Sequence, residues 1–486
     1  MLSRPGRRAV LASLACALGC SSSGSTASPD TGAPTATATA SVTATASSTA
    51  AATATASSTA PRPSPASHVD GVSWAPAGDK VVTWCAAACD RPEGAPVAYH
   101  VADPFSGTVL TASIEDGGQE RGASFSRKGT YLVGAAGNRI VIFKTADHSF
   151  SKVLDIEQMA VYGYMGLNDD ETHFAWIDAF GFAEVVDLAT GKALGRASLH
   201  DPNAGLQQQI AWVPGSSRVV FGCQESCTPE LWGTKGKRIS KLRVDGAEWG
   251  AHLDLATTPD GKIAVASADG VVALFDGKDG KGSVLRPKAK KKKDPNEEYG
   301  STARAAIALS GDGKKLFVST TKGDLTVFDL ATKKATDVLA AKDGAVPIER
   351  MFASHDGSRV VIGDYTSSWE VPVAPNAVPE KLAGVAQGYS ADGVLVVQAK
   401  DFVAGLLEGK EKWRRPRTGP GAKDDPPILA FSPDRKAVAI PDGQLSFVRA
   451  SDGKAVTLAL ETKGGSRTLV PQGGASFADV AAVLGR

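Results

Sequence analysis

A chain of 486 residues with 53 basic and 52 acidic side chains carries a net charge of +1, which excludes the global positive field that draws proteins onto nucleic acid. Hydrophobic residues make up 42% of it, yet no uninterrupted apolar run of about 18 residues is present, which excludes a membrane-spanning helix. The length suits two or three average domains or a single large repeat fold.

The first predicted element is an export signal. Arg4, Arg7 and Arg8 precede an apolar stretch over 9–18, and Gly19 and Cys20 follow, which is the basic, apolar, small-residue order of a secretory leader too short to span a bilayer. Ala17-Leu18-Gly19-Cys20 resembles a bacterial lipobox with its first two places exchanged. That resemblance implies lipidation of Cys20, with Cys16 as the competing position and plain secretion as the alternative. Residues 1–20 are therefore read as a lipoprotein signal peptide. Residues 21–67 are almost wholly Ser, Thr, Ala, Pro and Gly and cannot bury enough surface to offset ordering entropy. They read as a disordered tether with a reach on the order of 35 to 40 Å.

From residue 68 to 465 one unit recurs. Its clearest copy is 306–340, AIALSGDGKKLFVSTTKGDLTVFDLATKKATDVLA, in which short apolar runs alternate with Gly and Asp turn pairs, the signature of a four-stranded meander. The first hairpin turn returns at Trp74, Phe125, Leu167, Trp212, Thr257, Leu309, Ala353, Tyr389 and Phe431, nine times at a mean spacing of about 45 residues. A lone meander leaves an apolar face in water, so each unit needs a neighbour like itself. The expected fold class is all-β, a β-propeller of four-stranded blades, with nine units counted and eight the main alternative. Residues 466–486 are expected either to add a closing strand beside the first blade or to pack as a short helix.

On these repeats, and on third-strand edges such as Thr326-Val-Phe-Asp329, the units resemble the WD-repeat and quinoprotein-like β-propeller families. Phe328-Asp329 and Phe275-Asp276 stand where Trp-Asp is usual. The resemblance implies blades stacked around a central axis.

Four cysteines remain, as Cys85 with Cys89 and Cys223 with Cys227, each pair just after the second strand of its unit. In an exported chain two small-loop disulfides are the expected state, with a four-cysteine zinc site as the alternative. The seven histidines are scattered without HExxH spacing, and no GxSxG, Walker or GxGxxG motif is found, so hydrolase, nucleotide and dinucleotide readings lose their usual support and no cofactor or metal is expected. The acidic groups Asp169, Asp170, Glu171 and Asp276, Asp279 lack the alternating ligand spacing of a calcium loop. Lys290, Lys291, Lys292 and Lys293 form a basic run, read chiefly as a solvated inter-blade loop with contact to anionic headgroups, glycan or an acidic partner as the alternative. Trp74, Trp212, Trp232 and Trp369 fall on packing positions. Trp249 and Trp413 fall outside the repeat and are the aromatic candidates for ligand contact.

The function expected is that of a non-catalytic, lipid-anchored scaffold at the cell envelope. It would bind a protein partner or an envelope polymer, and would contact the membrane through its N-terminal lipid. The competing expectation is an exported enzyme, a dehydrogenase, lyase or glycan hydrolase, with its site in the central funnel.

Overall fold

The structure is a computed structural model that describes residues 16–17, 71–84, 96–114, 120–136, 139–146, 149–156, 164–177, 182–198, 208–223, 228–244, 249, 253–267, 270–286, 305–319, 323–340, 348, 350–364, 366–417, 429–463 and 466–486. Each repeat unit becomes one antiparallel meander with strands in sequence order. In the unit over 306–340 they are Ala306–Leu309, Lys315–Ser319, Leu325–Asp329 and Ala335–Leu339. Nine such blades are present, which settles the count at nine and not eight. Their first strands are Gly71–Trp74, Glu120–Phe125, Tyr164–Leu167, Gln208–Trp212, Asp254–Thr257, Ala306–Leu309, Arg350–Ala353, Val385–Tyr389 and Ala430–Phe431. Blade 3 has the pair Cys16–Ala17 alongside its first strand.

The middle strands read as continuous apolar runs because both their faces are buried, as in any sheet covered on two sides. Leu316 and Val318 point into the seam between blades 5 and 6, whereas Phe317 between them points into the seam between blades 6 and 7. Every pair of neighbouring blades encloses its own apolar cluster. Trp84, Tyr99 and Phe125 fill the seam of blades 1 and 2, and Ile142, Met165 and Phe174 that of 2 and 3. Val185 and Phe221 lie between 3 and 4, Leu231 and Phe275 between 4 and 5, and Val361 and Leu395 between 7 and 8. Val396, Trp413 and Val438 fill the seam of 8 and 9. The last seam joins blade 9 to blade 1 through Trp74, Val81, Phe447 and Leu458, so the ring is closed by the same apolar contact that joins its other members.

The first hairpin turn is built from a side chain that the repeat pattern does not single out. In seven blades the residue after the first strand is a buried Ser, Thr or Asn, namely Ser126, Asn168, Thr258, Ser310, Ser354, Ser390 and Ser432. Its oxygen accepts a backbone N–H across the turn, as Ser354 Oγ does from Arg359 N at 3.0 Å and Ser432 Oγ from Ala437 N at 3.0 Å. In blades 5, 6, 7 and 9 the same hydroxyl donates to an Asp two residues on, a local alternative to ladder bonding that favours a tight reversal. Replacing Ser354 by Ala leaves the Arg359 N–H without its acceptor, so about 1–3 kcal/mol of stability should be lost. A urea midpoint unchanged by Ser354→Ala would show the hydroxyl to be dispensable.

These turns also need one residue in the left-handed region. Gly supplies it in seven blades, but Glu171 and Arg435 adopt φ of 58° and 57° in the other two, a conformation that costs a non-glycine residue about 1–2 kcal/mol. Both side chains bond to the neighbouring blade. The Glu171 carboxylate accepts Lys128 N, and the Arg435 guanidinium donates to Tyr389 O at 2.7 Å. The strain is offset by a tie across the seam.

Candidate functional site

In a meander the connections 1→2 and 3→4 leave one end of the sheet, and 2→3 and 4→1 leave the other. The ring therefore has a turn face and a loop face. On the turn face the first hairpins hold four to six residues in every blade, and neighbouring turns are bonded together. Gly215 N donates to Asp169 Oδ2 at 3.0 Å, Asp312 N to His355 O at 3.0 Å, and Ala391 N to Arg435 O at 3.0 Å. On the loop face the connections run from one residue, between Asp442 and Gln444, to nineteen, between Arg286 and Ala306. The uniform face is fixed by what the blades need from each other. The irregular face also has ties between blades, Arg286 to Asp324 at 3.2 Å and Arg417 to Asp442 at 3.7 Å, but its connections vary widely in length, which is the usual setting of binding residues on a rigid frame.

The candidates from the sequence divide between these faces and the interior. Asp169 and Glu171, in the acidic group, serve the turn face: the Asp169 carboxylate also accepts from Arg127 at 2.6 Å. Asp276 and Asp279 each accept a backbone N–H within their own turn. Cys223 ends the second strand of blade 4 opposite Gln208. Cys20, Cys85, Cys89 and Cys227 lie outside the described residues, as do Lys290, Lys291, Lys292 and Lys293.

Trp413 is buried in the seam of blades 8 and 9, and Trp249 is half-buried against the seam of blades 4 and 5. Trp413 is 7% exposed, lies against Gly405 and Gly453, and donates its indole N–H to Ala450 O at 2.7 Å. Trp249 donates to Leu242 O at 2.7 Å and sits 6.1 Å from the Phe275 ring. An indole with its N–H satisfied and its rings against core is spent on structure.

Around the axis, the described first strands carry two charged side chains whose placement is defined, Asp254 and Arg350. Asp254 joins three blades: Gln209 Nε2 donates to one carboxylate oxygen at 2.9 Å and Ile307 N to the other at 2.7 Å. Sequence reasoning passed over this residue because a lone Asp in a strand carries no spacing signal. The bonds to blades 4 and 6 give it a bracing role at the mouth of the ring.

The closing seam holds the most perturbed histidine. The segment Ser466–Pro471 is a fifth strand of blade 9, and it reaches blade 1 through the bridge of Thr468 with Thr108 and through Leu469 N donating to Gly107 O at 2.9 Å. Helix α1, Phe477–Leu484, follows with a Ser476 capping box and buries Val480, Val483 and Leu484 in the same cluster as Trp74. Both alternatives expected of 466–486, strand and helix, are present together. Arg467 from this strand donates to the imidazole Nε2 of His100 in blade 1, which assigns the ring proton to Nδ1, 3.1 Å from Thr111 Oγ1. Burial, together with the Arg467 charge, pushes His100 down to about 3. It is neutral at any pH near 7.

No family model matches the chain, and no curated protein sequence matches it. Among solved structures it is similar to the Saccharomyces cerevisiae Sqt1 at 12% identity, over 84% of this chain and 97% of that one, with a TM-score of 0.44. It is similar also to the C-terminal WD40 domain of Sif2 at 13% identity, over 84% of this chain and 97% of that one, again with a TM-score of 0.44.

Proposed function

We propose that this protein is a non-catalytic scaffold, anchored by a lipid on Cys20 at the cell envelope, whose loop face binds a protein partner or an envelope polymer. The observation that carries the reading is the asymmetry of the two faces: turns of two to seven residues on one, the first hairpins among them holding four to six, and connections of one to nineteen residues on the other. A ring with nine apolar seams presents its loops on a preformed frame and loses little conformational freedom on binding. The charged side chains that reach into the blades are taken by internal partners. Glu370, for example, accepts from Arg359 at 2.9 Å and from the Tyr389 hydroxyl at 2.8 Å.

The face is tested by photo-crosslinking in intact cells. A crosslinking amino acid at Lys400 or Gln444, on the loop face, is expected to give one defined adduct, and the same probe at Arg127 or Asp392, on the turn face, none. Adducts of equal yield from both faces would overturn the assignment. The anchor is tested separately: Cys20→Ala is expected to move the protein from the membrane fraction to the soluble fraction and to abolish incorporation of a labelled fatty acid. Full membrane retention of that variant would remove the lipid from the reading while leaving the loop face untouched.

A further inference from the structure

We infer that the outer rim of blades 3 and 4 is a docking surface for an anionic lipid bilayer. The fourth strands concerned are Ala193–Ser198 in blade 3 and Arg238–Lys241 in blade 4. They form one surface because the blade 4 turn rests directly on the blade 3 strand: a Cβ placed on Gly236 would lie 2.2 Å from Leu194 O, and one on Gly195 would lie 2.2 Å from Gly236 O. Backbone stacked on backbone leaves no gap between the two edges.

The charge of this surface departs from that of the whole chain, which is close to neutral. Residues 187–198 and 233–243 contain seven cations and one acid, Asp187, whose carboxylate accepts from Thr190 in its own turn. The carboxylates that reach them from inside the blades are Glu184 and Glu230, both buried. Each is also occupied by an indole, from Trp176 at 3.1 Å and Trp232 at 3.0 Å. Glu184 holds Arg196, whose side chain remains 80% exposed, and Glu230 holds Arg238 and Lys241. Lys192, Lys235, Lys237 and Arg243 are exposed and have no carboxylate partner among the described residues.

Apolar side chains stand among these cations. Leu194 is 37% exposed and Ile239 42%, two of the four large hydrophobic residues left exposed among the described residues. Cations with protruding aliphatic tips match the headgroup boundary of a bilayer, where phosphates meet the charges and the tips enter the apolar layer. An acidic polymer without apolar groups would use the cations and leave the tips in water, whereas a bilayer takes up both.

The inference does not rest on the anchor, and the test uses the full chain carrying Cys20→Ala so that no acyl chain contributes. Sedimentation with vesicles of 30% phosphatidylglycerol in phosphatidylcholine is expected to recover the protein in 0.1 M NaCl, and 0.5 M NaCl to release it, since screening shortens the reach of surface charge. Pure phosphatidylcholine vesicles should recover little. K192E/K235E/K237E is expected to weaken binding at least tenfold. L194S/I239S should weaken it several-fold while keeping the salt dependence. K410E/K412E, on the rim of blade 8, should bind as the parent does. Equal recovery on neutral and anionic vesicles overturns the inference, as does parental binding by the triple variant or an equal loss in the blade 8 control. Retention on immobilised polyglutamate without vesicle binding assigns the surface to an acidic polymer and overturns the lipid. The salt comparison needs no rim substitution, so recovery on anionic vesicles that 0.5 M NaCl leaves unchanged overturns the inference even where a rim variant folds poorly.

Discussion

A chain ending at Lys463 is expected to lose on the order of 5 kcal/mol of stability. The segment 466–486 contributes Leu469, Val480, Val483 and Leu484 to the cluster that joins blade 9 to blade 1, and burying each such side chain is worth about 1.5–3 kcal/mol. The polar ties of the seam leave with them: Leu469 N to Gly107 O, Arg467 to His100, and the Arg486 guanidinium to Ala77 O. Trp74 and Phe447, now 5.2 Å apart, would then meet water on a side that α1 covers. The check is urea unfolding followed by tryptophan fluorescence. A midpoint within error of the full chain would show that blades 1 and 9 hold each other without help. A broad transition, or two transitions, would show that closing the ring is what makes unfolding cooperative.

Acidification below pH 6.5 is expected to weaken the same seam. His100 is 8% exposed and its pKa is lowered from 6.5 to about 3, so below 6.5 the unfolded chain binds a proton that the folded chain refuses. Stability from this group is complete above pH 6.5 and is lost as pH falls from there toward 3, with a limiting slope of about 1.4 kcal/mol per unit. Burial is the main cause of the sign, and the charge facing the ring adds to it. Arg467 lies against it and no carboxylate answers it; its other neighbour is the Thr111 hydroxyl, so a protonated ring would set two cations in contact. The aspartates of the turns titrate in a different window. Asp356, held down to about 2 by the Ser358 backbone N–H and the Ser354 and Ser358 hydroxyls, loses its contribution only as pH falls below its ordinary value. A His100→Gln variant should therefore differ from the parent in slope between pH 6.5 and 4 and match it above 7. Parallel stability curves across that range would show that His100 is not the group responsible.

The architecture was legible because it is written in short-range terms. The nine turn positions, from Trp74 to Phe431, fall where the first strands end or one residue from it, and the strand Leu325–Asp329 begins and stops where its Gly and Asp neighbours placed it. The site was much less legible. Trp413 stands outside the repeat in sequence, yet in space it faces Gly453 of the next blade, a contact across 40 residues that no local pattern announces. Asp254 bonds to residues 45 positions before it and 53 after it, and its role exists only once three blades are adjacent. The Ser, Thr or Asn of the turn is present in seven of the nine copies, but its part in the turn shows only where its oxygen accepts a backbone N–H.

The amino-acid order by itself determined the hairpins and the need of each unit for a neighbour, because those follow from dihedral preferences and apolar alternation within a few residues. Tertiary structure alone decided how residues 466–486 clasp blade 1, which tryptophans are walled in, and that 189–198 and 233–243 share one rim. Those outcomes depend on which edges the curvature of nine stacked sheets brings together. Curvature of that kind is a property of the assembled ring, and no single blade contains it.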